Sequence, residues 1–520
     1  MTRHPDAPAA RRGRDRKAVV IPAPPGRRFA GDGGPGRCAV IGAGLAGIAA
    51  ATALAERGVR VTLYEREQTL GGRLAGWPTD LADGSTATMS RGFHAFFRQY
   101  YNLRGLLRRV DPGLDRLRPL PDYPLRHRCG TYDSFARVPR TPPWSALGFA
   151  LLSRSFRHKD LTRMNPRAAL PLLDVRVPEV YQRYDDVSAL ALLDRVRFPE
   201  AARHLAFEVF SRSFFADPGD LSAAELALMF HIYFLGSSEG LLFDVPDEPY
   251  PQALWDPLAR YLDGHGVDIR TGTAVAGLEP GPGGGHLVHT PNRTEHADAV
   301  VLALDTGGLK ALTAASPELC DAAWRGRIGR LRTAPPFLVT RLWLDRPVHR
   351  HRPGFLGTSG YGPLDNISVL NFFEGEAARW AGKTGGAVIE LHAYAADPGA
   401  QPHALARGLV EQLHRVYPET AAARTVDRRD EWRRDCPLFA VGGHADRPTV
   451  DTPDPTVTVA GDLVRTGLPV ALMERAATTG FLAANTHLRR WGLRGQTLWT
   501  VPPHGRSAPL RLLARRFGER

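Results

Sequence analysis

Gly42-Ala43-Gly44-Leu45-Ala46-Gly47 carries three glycines at the spacing a dinucleotide requires. The first permits a tight turn, the second lets a pyrophosphate approach the backbone, and the third lets a helix pack closely on a strand. Gly42, Gly44, Ala46 and Gly47 are therefore candidate cofactor-binding positions. Glu65 lies 23 residues after Gly42. A carboxylate there accepts bonds from adenosine ribose hydroxyls and repels a 2′-phosphate, which disfavours NADP. Arg66 beside it is assigned to the same site. Gly71-Gly72-Arg73 follows after a short loop. A glycine pair opens a second approach to the pyrophosphate, and Arg73 can neutralise negative charge. A site built only for NAD does not need this second element.

These residues need a strand, a helix and a second strand to hold them. The apolar run 37–42, the helical pattern 45–57 ended by Gly58, and the run 59–65 form that βαβ unit at minimal length. Residues 144–264 read as mainly helical and punctuated by proline. Short strands are predicted at 268–270, 273–275 and 286–288, with a hairpin turn in 280–285 and a buried strand at 299–304. Further strands are expected at 337–344, 367–373 and 387–395, followed by a helix at 404–416. A last strand at 456–460 leads through Gly461-Asp462 into a helix over 473–491.

The chain has 520 residues, 43% hydrophobic and 23% charged, which excludes a disordered or collagen-like protein. Its four cysteines form no CxxC pair and no Cys/His cluster. A disulfide scaffold and a metal site are not expected, and a reducing cytoplasm is. Residues 1–37 hold nine Lys/Arg against three Asp/Glu, and residues 487–520 eight against one. The two ends thus account for the net charge of +13, and the body between them is neutral. That body has no attraction for nucleic acid, whereas basic ends suit an anionic membrane surface. Pro22, Pro24 and Pro25 stand where the apolar core of a leader would have to lie. The apolar run 221–236 contains Glu225 and His231 and is shorter than the ~20 residues of a spanning helix.

The pairing of the two glycine motifs resembles the FAD-binding signature of the amine oxidase and carotenoid desaturase flavoproteins. The resemblance implies FAD, with Gly461 and Asp462 as the C-terminal contact, Met473 at the start of a helix facing the flavin, and Val275 against adenine. Gly92-Phe93-His94-Ala95-Phe96-Phe97, continued by Tyr100 and Asn102, is similar to a segment of zeta-carotene desaturases. Asp217-Pro218 with Leu221-Ser222, and the run Pro251 to Pro257, look like phytoene desaturases. Over residues 38–490 the chain most resembles the actinobacterial carotenoid φ-ring synthases. The implied fold is α/β: a discontinuous Rossmann-type FAD-binding domain (38–110, 245–310, 450–490) and a substrate domain of mixed sheet and helices (111–244, 311–449). The ends, 1–36 and 491–520, are expected to be basic tails, the first disordered.

The implied reaction has clear chemical demands. A β-ionone ring carries two methyls on one quaternary carbon, so it becomes aromatic only if one methyl moves to the neighbouring carbon. The implied substrate is β-carotene drawn from a membrane surface, and the oxidation also needs an electron acceptor. His94, Arg91 and Arg98 are placed near the flavin, with His94 either a proton acceptor or a structural partner of backbone or flavin. His231 either faces the substrate or is a core histidine; Glu208 and Glu239 are weaker candidates. Aromatic residues between 207 and 243 suit a polyene channel. A linear carotene desaturase, a carotene isomerase, an amine oxidase and a flavin-bearing carotenoid carrier stand as alternatives.

Overall fold

A computed structural model describes residues 15–31, 36–156, 159, 162–200, 202–203 and 212–518. Its nucleotide-side sheet has five parallel strands, ordered Asp268–Arg270, Arg60–Tyr64, Arg37–Ile41, Ala299–Leu302 and Val457–Val459. Parallel strands covered on both faces read as continuous apolar runs, as Cys38-Ala39-Val40-Ile41 and Ala299-Val300-Val301-Leu302 do. The helix Leu45–Ala55 follows Arg37–Ile41, the first strand of the chain to enter this sheet, and every one of its residues is buried. It lies against the long helix Leu472–Arg490. Gly480 makes that approach possible, because a Cβ there would collide with the Ala46 carbonyl.

The second sheet has seven strands, ordered Thr425–Arg433, Phe337–Leu344, Ala387–Ala393, Asn366–Val369, Phe355–Ser359, Pro124–His127 and Tyr132–Ser134. Side chains alternate across it. Ile389 and Leu391 join Leu409 and Leu413 of the helix Pro402–Val416 in one core. Val388, Glu390 and His392 take the other face. Short helices occupy much of the described part of 144–235, and one of them, Ala223–Phe230, packs toward the Asp462 turn through Glu225 and Arg475.

Several expectations change. Residues 273–275 form no strand, although the Thr273 amide donates to the Glu65 carbonyl at 2.8 Å, and the strand comes later, at Gly277–Pro280. The segment 1–36 is not wholly a disordered tail. Val19–Ile21 pairs antiparallel with Leu498–Thr500, and buried Asp15 ion-pairs with Arg506 at 2.8 Å. Order at the start therefore depends on a partner hundreds of residues away. Residues 1–14 and 32–35 lie outside the described residues. The basic C-terminal segment likewise holds a strand and the helix Ala508–Gly518. Among the described residues no helix is long and apolar enough to cross a membrane.

Candidate functional site

One cavity of about 940 Å³ joins the nucleotide motifs to the aromatic interior. It sits at the upper end of the range of roughly 300–1,000 Å³ usual for ligand sites. Gly42, Gly44, Ala46, Glu65, Arg66, Gly71, Gly72, Arg73, Val275, Gly461, Asp462 and Met473 all line it. Gly47 does not; a Cβ there would strike the Gly42 carbonyl, so it serves helix-to-strand packing. Gly42 has φ +102°, and a side chain would meet the Ala303 carbonyl.

The two glycine loops meet across the cavity floor. Gly71 donates its N–H to the Ala43 carbonyl at 2.9 Å and pairs with Gly44. A Cβ added at Gly44 finds nothing nearer than the Gly72 Cα at 3.8 Å. The space above Gly44 is thus a cradle that a side chain would fill. Neither Gly44, which caps Leu45–Ala55, nor Ala471, which caps Leu472–Arg490, offers a side-chain cap. Both helix starts leave N–H groups and a positive dipole end for a dinucleotide and a flavin ring. Glu65 lines the same cavity while its carboxylate accepts the Ala43 amide at 2.8 Å and the Glu67 amide at 3.0 Å. These residues fit FAD.

Arg73 donates to the Asp462 carboxylate at 2.5 Å. Burial opposes the guanidinium charge, but Asp462 more than restores it and holds Arg73 protonated. Arg475, buried under the same turn, donates to the Asp462 carbonyl at 3.2 Å and the Val470 carbonyl at 2.9 Å. Its third bond goes to Glu225 at 2.8 Å, and Glu225 also accepts from Arg447 at 2.6 Å. Burial would raise the Glu225 pKa, yet the two guanidiniums bring it down to about 2. This buried group ties the flavin-side turn to the helical layer. Neither Arg475 nor Glu225 was legible as a site residue, since nothing local marks their meeting.

The candidate catalytic residues separate. His94 lines the cavity, and its Nδ1 is 2.9 Å from the Gly92 carbonyl. A carbonyl only accepts, so Nδ1 carries the proton and Nε2 is the unprotonated nitrogen. Burial brings the His94 pKa down to about 4, so the ring is neutral near pH 7. Arg91 also lines the cavity, ion-paired with Asp435. Arg98 is not on the wall: it turns to Asp244, which it shares with Arg104. His231 is not there either. It is fully buried and its Nε2 bonds the Pro502 carbonyl at 2.8 Å, so it anchors the C-terminal segment. Glu239 is buried too and accepts the Asp15 amide; Glu208 lies outside the described residues.

The deeper wall is aromatic. Phe93 stacks on Phe355 at 4.5 Å, and Phe215 meets Phe337 at 4.9 Å and Tyr394 at 4.8 Å. Of the aromatics expected between 207 and 243, Phe214, Phe215 and Phe243 reach the cavity, while Tyr233 and Phe234 are core. Phe207 and Phe210 lie outside the described residues. Tyr394, Asp365 and Asn366 also line the cavity, and no motif announced them. No lysine lines it among the described residues. No group of His, Cys, Asp and Glu among them could hold a metal ion.

Residues 45–486 match the flavin containing amine oxidoreductase family. The chain is 71% identical to a carotenoid phi-ring synthase of Streptomyces griseus, covering 97% of both chains. It is 28% identical to a carotenoid phi-ring synthase of Chlorobaculum tepidum, covering 91% of each. In fold it resembles a cyclohexylamine oxidase from Brevibacterium oxydans, with TM-score 0.63, 14% identity, and coverage of 88% of this chain and 100% of that one. The cofactor is FAD. With this cradle, these matches and this aromatic wall, the chain belongs to the flavin-containing amine oxidoreductases and, within them, to the carotenoid phi-ring synthases.

Proposed function

We propose that the protein oxidises the β-ionone rings of β-carotene to aromatic φ rings, with one methyl moved to the neighbouring carbon. The observation that carries this reading is the single cavity that leads from the FAD cradle into an aromatic chamber, in a chain so similar to a phi-ring synthase. FAD, when bound, supplies the two-electron oxidations. The protein's part is to hold the ring, keep water away and receive protons. Phe93, Phe215, Phe337 and Phe355 offer apolar faces, themselves without a nucleophile, whose quadrupoles favour a ring cation. His94 contributes one unprotonated nitrogen, Nε2, to the wall.

The substrate dissolves in lipid, so the same reading includes docking at a membrane surface. The helix Trp144–Leu152 exposes Trp144, Leu147, Leu151 and Leu152. It is rooted by Phe149, stacked 5.2 Å from Phe135, which in turn lies 5.7 Å from Tyr123 on the cavity wall. The C-terminal helix exposes Leu512, Leu513 and Phe517 beside Arg515 and Arg516. An apolar face flanked by arginine, as on the C-terminal helix, suits an anionic interface.

Expression in a β-carotene-producing bacterium tests the reaction. Aryl-ended carotenoids are the expected pigments, and unchanged β-carotene or a linear polyene overturns the reading. Growth on methyl-labelled methionine adds a second check. Ring methyls carrying label above background would mean an external methyl donor instead of migration.

A further inference from the structure

Aromatising one ring removes four hydrogens in two two-electron oxidations, so two of them leave as protons. His94 is poorly suited to keep one. Its Nδ1–H is spent on a backbone carbonyl, and no carboxylate is bonded to its ring to hold the imidazolium. A different group on the wall has what His94 lacks.

Glu390, His392 and Tyr394 lie two residues apart along the strand Ala387–Ala393 and its exit, which places them on one face of the sheet. Glu390 pairs across the register with Arg341, which donates to its Oε2 at 2.7 and 3.0 Å. Burial would raise the Glu390 pKa, but Arg341 and His392 bring it down to about 2, so it is a carboxylate. His392 Nε2 lies 2.8 Å from Glu390 Oε1 and His392 Nδ1 lies 2.5 Å from the Tyr394 hydroxyl. A carboxylate cannot donate, so Nε2 carries the proton and Nδ1 accepts the Tyr394 O–H. The Phe93 amide, 3.4 Å from Nε2, is the longer contact and yields to the carboxylate. Asn366 Nδ2 donates to the Tyr394 oxygen at 3.0 Å, and Tyr394 itself lines the cavity beside Phe215.

We infer that the Tyr394 hydroxyl is a proton acceptor for the ring cation, with His392 and Glu390 behind it as a relay. This rests on the ring-aromatising reading. A ring C–H bond breaks and its electron pair becomes the new C=C bond. The proton joins the Tyr394 oxygen while Tyr394's own proton passes to His392 Nδ1. His392 becomes an imidazolium facing the Glu390 carboxylate. When product leaves, the proton returns through Tyr394 to the water that refills the cavity. A neutral phenol suffices as first acceptor because a ring cation is a very strong acid. Asp365, which accepts the Tyr394 amide at 2.6 Å, is the competing acceptor on the same wall.

The test compares single-turnover aryl formation from β-carotene in FAD-loaded wild type, Tyr394→Phe and Asp365→Asn. Tyr394→Phe keeps the ring against Phe215 and is expected to retain FAD while aryl formation falls on the order of 100-fold. Wild-type speed in Tyr394→Phe, or a larger loss in Asp365→Asn, overturns the assignment. Wild type in D2O needs no variant to fold: the relay moves exchangeable protons, so aryl formation slows by about twofold or more, and equal rates in the two waters overturn the relay. If wild type releases another carotene product, the aromatising reading fails, and the same ratio read on that product still judges Tyr394.

Discussion

Gly44 separates cofactor binding from folding. A Cβ there touches no protein atom closely, so Gly44→Val is expected to fold with little change in melting temperature and to purify without flavin absorbance. A yellow Gly44→Val protein would refute the placement of the pyrophosphate. Glu225 is the opposite case. Glu225→Gln removes the charge that balances Arg475 and Arg447 in a buried site, and such a change costs about 3–5 kcal/mol, read as a lower denaturant midpoint. Because Arg475 also holds the Asp462 carbonyl, weaker FAD retention is expected alongside. Gly42, Gly44, Glu65 and Arg73 were legible because short-range backbone chemistry defines them. Tyr394 on the cavity wall and His392 behind it were not, because only the sheet's two-residue alternation brings the pair together. Arg98 and His231 were misplaced for a related reason: a nearby motif or an apolar run does not reveal which way one side chain turns.

At the scale of elements, the apolar run 221–235 is almost wholly interior, and the proposed docking surface rests on two helices with exposed apolar residues, Trp144–Leu152 and Ala508–Gly518. Ala508–Gly518 keeps a polar face of arginines, as an interfacial helix does, whereas Trp144–Leu152 carries no charged residue and offers apolar contact alone. In the C-terminal helix Leu510 is partly buried beside buried Ala514, and Leu512, Leu513 and Phe517 are exposed. Any shortened chain must spare Arg506, whose partner Asp15 is buried, so it should end at Ser507. Pelleting with anionic liposomes is expected to weaken in that chain and in Trp144→Ser/Leu151→Ser, and to weaken in all of them at high salt. Equal pelleting of the three proteins would remove both helices from the docking surface.

For the whole molecule, pH is a simple probe of how tightly the interior is closed. Burial lowers the pKa of His94, His231 and His487 from 6.5 to about 4. Between those values the unfolded chain binds more protons than the folded one, so stability rises with pH there and is lost as pH falls from about 6.5 to 4. Each imidazole contributes at most about 3 kcal/mol to this loss. Glu374 and Glu474, which burial pushes up to about 7 and about 8, act in the opposite sense above about pH 4.5, so the histidine contribution is read by difference: His231→Gln should lose less melting temperature than wild type between pH 6.5 and 4. Identical pH dependence in wild type and His231→Gln would mean the ring is hydrated. The pairing of the first βαβ unit could be read locally, since its parts are contiguous. The remaining order of the parallel sheet, and the pairing of Val19–Ile21 with Leu498–Thr500, depend on contacts across most of the chain and left no local trace.

The parallel sheet also sets a timetable. Its central strand Arg37–Ile41 leaves the ribosome early, but Val457–Val459 and Asp462 come near the end. At about 5–20 residues per second, the interval from Ile41 to Val459 lasts roughly 20–80 s. Throughout it the nascent chain displays an open parallel edge and half a cradle, with no Asp462 to meet Arg73. Flavin can be captured only after synthesis is nearly complete. Slow translation or scarce riboflavin should therefore reduce the yield of intact protein before either one limits its turnover.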